Sequence, residues 1–130
     1  MSQKHNNGFV LLMVVAMIPL IGMIAALMTV NSRHLLIQTR LEELNLLAKT
    51  ACDSGIAWTK CHPEEIRTIR SDQPVTLAIE HPQKNVICVI DFVSRDTAGI
   101  RVHITGQAVD KRFRQEFQQY LLVPLPALKD

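Results

Sequence analysis

The sequence predicts an α+β domain in which one long N-terminal helix, half membrane-spanning and half amphipathic, packs on a small antiparallel β-meander. Three observations lead there. Phe9 to Val30 is a run of 22 residues without a charge. No proline occurs between Pro19 and Pro63, so nothing forces the helix to stop where the apolar run does. Beyond residue 73 the apolar residues alternate with period two and are separated by short polar turns, the pattern of consecutive strands.

Charge divides the chain as sharply as hydropathy does. All twelve acids and thirteen of the fourteen Lys/Arg lie after residue 31, leaving that part with a net charge of +1. Such a near-neutral balance gives no broad electrostatic attraction for nucleic acid. About a hundred residues still suffice to bury a small core. The reading is therefore four segments: a polar leader (1–8), an apolar helix (9–30), its amphipathic continuation (31–61) and a sheet domain (62–130).

As a helix, the 22 apolar residues extend about 33 Å, enough for a hydrocarbon core of about 30 Å. A single span must be helical, because lipid offers no partner to exposed amides. Pro19 removes one helix donor and crowds the carbonyl of Val15, and Gly22 lowers helix propensity one turn later. The pair marks a weak stretch where a kink is expected. A cleaved secretory signal fits less well: its apolar region runs to about 7–15 residues and ends at a small-x-small site, which "GMIAALMTVNSR" lacks. Flanking charge, Lys4 on one side against Arg33 and Arg40 on the other, weakly favours a cytoplasmic C-terminus.

Past Val30, Ile37, Leu41, Leu44, Ala48, Ala51, Gly55 and Trp58 recur at steps of four and three, one helical face. Gln38, Glu42, Glu43, Asn45 and Lys49 occupy the opposite side. The seam covers only about three heptads and narrows to small residues, which suits close packing on a sheet better than a self-standing coiled coil. Pro63 places the helix end near Lys60.

Residues 74–81 put Val75, Leu77 and Ile79 on one face, and 86–93 (VICVIDFV) is apolar on both, as a central strand would be. Ile100, Val102 and Ile104 alternate with Arg101, His103 and Thr105. A fourth strand over 111–123 is less clearly marked, since Phe113, Phe117 and Leu121 also fit a helix. Short connections imply antiparallel neighbours, and one sheet face should cover the helix seam.

Catalytic and metal-binding patterns are missing. His62-Pro-Glu-Glu has no second histidine, and Cys61, His62, His81, Cys88 and His103 follow no recognised zinc spacing. Ser54 is not in a nucleophile elbow, and there is no glycine-rich phosphate loop. An enzyme, a cofactor and a small-molecule substrate are not expected. The three cysteines, Cys52, Cys61 and Cys88, are read by default as free thiols. If the domain is exported, one pair is open to oxidation. Cys52 and Cys61 would lie roughly 13 Å apart on one helix, beyond the ~7 Å a disulfide tolerates, so Cys61–Cys88 is the candidate pair.

A polar leader ending in Gly8, a Phe9 start, a long uncharged helix, an amphipathic continuation and an antiparallel sheet together resemble the type IV pilin-like proteins, including the pseudopilins of type II secretion. "AKTACDSGIAW" is similar to a small-x-acid-small-Gly segment of minor and tip-type members, and Gly22 falls where many members carry a helix glycine. The resemblance covers residues 1–60 in motifs and the remainder in layout only. It implies cleavage after Gly8 by a membrane-embedded prepilin peptidase, N-methylation of Phe9, and partners that are other pilins or pseudopilins meeting it through the N-terminal helix. It also implies an inner-membrane location with a periplasmic C-terminal domain. One position departs from the family: Met13 stands where members usually have a glutamate, which implies a minor or tip subunit rather than a repeating one. The competing reading is a single-pass membrane protein with an unrelated extracytoplasmic interaction domain.

Overall fold

A computed structural model describes residues 6–69 and 73–124. Most of the leader, including Lys4, and the last six residues lie outside the described residues. The element order is α1 (Asn6–Cys61), α2 (Pro63–Thr68), β1 (Val75–Ile79), β2 (Asn85–Asp96), β3 (Gly99–Asp110) and β4 (Phe113–Pro124). The strands form one antiparallel sheet in the order β1-β2-β3-β4, a plain meander. This is the expected α+β arrangement.

Two compact units divide the chain, residues 1–39 and 40–130. From Arg40 onward α1 belongs to the same unit as the sheet. Its buried face there is Leu44, Ala48, Ala51, Cys52, Gly55 and Thr59. Leu41 and Trp58 are half-buried and Ile37 is exposed, so the packed seam begins one turn later than the apolar spacing predicts. Cys52 and Thr59 were absent from that seam. An apolar helix face is about 100° wide and admits residues one position off the strict repeat. Thr59 is accommodated because its hydroxyl donates to the Gly55 carbonyl at 2.7 Å.

Against that face lie Val86, Cys88 and Ile90 of β2 and Ile100, Val102, Ile104 and Ala108 of β3, all buried. Helix and sheet come very close at Gly106. A Cβ there would overlap the Ala48 carbonyl oxygen and come within 2.6 Å of the Cys52 nitrogen. Gly55 answers it from the helix, since a Cβ on Gly55 would strike Cys88 Sγ and approach Ile104 Cγ2 at 2.9 Å. The helix backbone therefore rests almost directly on the sheet.

α1 ends at Cys61, one residue beyond the position marked by Pro63. His62 closes it: its amide donates to the Trp58 carbonyl at 2.9 Å and its ring stacks on Trp58 at 4.7 Å. Pro63 then opens α2, for which the sequence offered no expectation. Proline suits a first helical position because that amide needs no intrahelical acceptor. The short helix drives Ile66 fully into the core.

The open question over residues 111–123 resolves as strand. β4 pairs with β3 from Asp110↔Phe113 to Gly99↔Pro124. Phe113, Phe117 and Leu121 share a face and pack on the core margin, with Gln115 and Gln119 between them. A two-residue turn joins β3 to β4, with Lys111 at φ 41° in the left-handed region. In β2 the register shifts between Phe92 and Ser94, a bulge that leaves Val93 exposed. Lys84, just before β2, forms an ion pair with Glu43 of α1, tying loop to helix. Hydrogen bonding and charge from Lys84 hold the Glu43 carboxyl below its ordinary pKa.

Candidate functional site

Every residue from Gly8 to Arg40 is exposed. A soluble surface helix shows an apolar stripe toward its core and polar residues outward, whereas an all-round apolar helix demands an apolar environment on every side. By length and composition this one is long enough to cross a membrane. Phe9, Val10, Met13, Val14, Met17, Ile18 and Ile21 make one continuous apolar face at its beginning.

α1 starts at Asn6, so the Gly8–Phe9 bond lies in its first turn. The first four amides of a helix have no intrahelical acceptor, and this turn unwinds at little cost. A Cβ on Gly8 would meet nothing within 4 Å, and the same holds for Gly22. Neither glycine is therefore required by packing against the described residues. Phe9 is 65% and Met13 55% exposed, one helical turn apart. Met13 carries an uncharged thioether, and the first acid along the chain is Glu42.

Pro19 lies inside α1, which continues through it and through Gly22. The Val15 carbonyl thereby lacks its regular donor. Three hydroxyls at and beyond the end of the apolar run are satisfied locally. Thr29 donates to the Ala25 carbonyl, Ser32 to Met28 and Thr39 to Leu35, each at 2.9 Å. Such back-bonding lets polar residues sit beside lipid without an unpaired group. The first charges beyond the run, Arg33 and Arg40 with His34, are exposed.

The fold does not bring together Cys61 and Cys88, the candidate pair for an exported, oxidised domain. All three cysteines are free: Cys61 is exposed at the end of α1, whereas Cys88 is buried. The physical reason is the helix-to-sheet register, which sets Cys88 against Gly55, six residues before Cys61. Cys88 instead neighbours Cys52. Burial, and then the nearby Cys52, push the Cys88 thiol up to about 11. Burial also raises Cys52, whose thiol donates to the Ile104 carbonyl at 3.7 Å. Among the described residues, no three His, Cys, Asp or Glu side chains converge on a metal-sized site. An open groove of about 450 Å³ lies between Lys60, Pro63 and Arg67 on one side and Leu121 to Pro124 on the other.

Comparison with protein-family models, curated proteins and solved structures gives no match.

Proposed function

We propose that this chain is a minor pilin or pseudopilin, a structural and assembly subunit of a type IV pilus or type II secretion filament. The observation that carries the reading is a 22-residue uncharged helix, exposed on every side, that begins at a Gly–Phe bond within its first turn. The exposed helix serves two solvents in succession: lipid before assembly, and the helices of neighbouring subunits afterwards. Gly8 is the last leader residue. Its lack of a side chain lets the chain pass in extended form through the narrow site of a prepilin peptidase. Phe9 becomes the N-methylated start of the mature protein, and the domain beyond Val30 lies on the periplasmic side of the inner membrane.

The test is the mass of the N-terminal peptide from the mature protein. Loss of residues 1–8 with one methyl group on Phe9 is the expected result. An intact Met1 rejects it, and cleavage near Ala26 indicates a secretory signal.

Met13 favours a second reading. A free amine at Phe9 in lipid is costly when unpaired, and this chain supplies no acid before Glu42 to meet it. A single-pass anchor carrying an unrelated interaction domain, never cleaved at Gly8, has no such amine. Within the first reading, the same residue supports a tip or minor position, where no ion pair is made of the kind that the family's usual glutamate forms with a neighbouring subunit's terminal amine.

A further inference from the structure

We propose that Cys52 and Cys88 are the disulfide-forming pair of this chain, cross-linking α1 to β2 once the domain enters an oxidising compartment, with Cys61 remaining a free thiol. The compartment rests on the export in the reading above; the choice of partners rests on geometry alone.

Three contacts bring the two cysteines together. Cys88 lies directly opposite Gly106 in the β2–β3 register, and such neighbours have Cα atoms about 4.5–5.5 Å apart. The Cβ position of Gly106 is 2.6 Å from the Cys52 nitrogen. Cys88 Sγ occupies the space that a Gly55 side chain would take, and Gly55 is one turn from Cys52 on the same helical face. The two glycines thus remove the atoms that would ordinarily hold helix and strand sulfurs apart. Cys61 lies roughly 13 Å along the helix from Cys52 and is exposed.

Both partners are fully buried in the folded chain, so oxidation precedes closure of the sheet over the helix. The thiolate of one cysteine attacks the disulfide of an oxidant, a thiol-oxidising protein or oxidised glutathione, and one sulfur of the oxidant leaves as a thiolate. The second cysteine's thiolate then attacks the mixed disulfide at the first cysteine's sulfur. The intramolecular S–S bond forms and the remaining oxidant sulfur leaves. Two thiols give up two protons and two electrons, and the oxidant's disulfide takes them up as two thiols. Once the core closes, neither reductant nor oxidant has access.

Trypsin separates the three cysteines into Thr50–Lys60, Cys61–Arg67 and Asn85–Arg95, which makes the pairing directly readable. The full chain in detergent is unfolded, refolded with oxidised glutathione, alkylated and digested without reduction. The expected product is Thr50–Lys60 joined to Asn85–Arg95, two hydrogens lighter than the separate peptides, with Cys61 alkylated or capped by glutathione. A link containing Cys61, or three alkylated cysteines, overturns the proposal. The oxidised chain should melt about 10 °C or more above the reduced one, a difference retained in Cys61→Ala and lost in Cys52→Ala. If Cys52→Ala fails to fold, the peptide link in Cys61→Ala decides the matter. Alkylation in intact cells separates the two layers of inference. A link made on refolding but absent in cells leaves the pairing standing and removes the export on which its compartment depends.

Discussion

Gly106 shows how much of this fold depends on a missing side chain. Its neighbours are backbone atoms of α1, which cannot rotate aside as a side chain would. Gly106→Ala should therefore destabilise the domain by about 3 kcal/mol, measured as a fall in the urea midpoint with little change in slope. Lys111 is the opposite case. Its left-handed φ costs a side-chain-bearing residue roughly 1 kcal/mol that glycine avoids, so Lys111→Gly should stabilise the protein by up to about that amount. Cys88 gives a pH signature. Its thiol ionises at about 9.0 when unfolded and about 11 when folded. The folded state thus favours the neutral form, and its contribution is complete below pH 9. It is lost as pH rises through that window, because the unfolded chain then releases the proton first. The reduced protein should lose melting temperature between pH 9 and 11 more steeply than Cys88→Ala does.

At the level of elements, legibility followed periodicity. The long helix, its seam from Leu44 to Gly55 and three strands were readable because burial on one side imposes a repeat of 3.6 or 2.0 on the residue types. β4 was ambiguous because glutamines interrupt its inner face, leaving a spacing of four that a helix shares; pairing with β3 decided it. α2 was unreadable because six residues are too few to display a period. The cysteine pairing was not legible for another reason: spacing along one helix excludes a partner but says nothing about the register of helix on sheet. In the apolar half of α1, Pro19 and Gly22 carry an expectation of function. Replacing both with alanine should strengthen the helix, since Gly22 has open space for a methyl group. If the stretch must unwind during assembly, the double variant should insert into the membrane normally and be depleted from filaments. Unchanged incorporation would remove that role.

Across the molecule, the buried core among the described residues is drawn entirely from positions after Arg40. A chain beginning at Arg40 should consequently fold by itself, keeping its mixed helix–sheet circular dichroism and a cooperative thermal transition. Among the described residues the N-terminal unit contributes nothing to that core, and its large apolar side chains are exposed. That exposed surface also governs how the helix can travel. Stripping some twenty large apolar side chains into water would cost on the order of 20–40 kcal/mol, more than an ordinary folding reaction yields. Any exit from a bilayer must then be a direct handover, with each turn covered by a new apolar neighbour as it sheds its lipid, so the helix is never wet along its length.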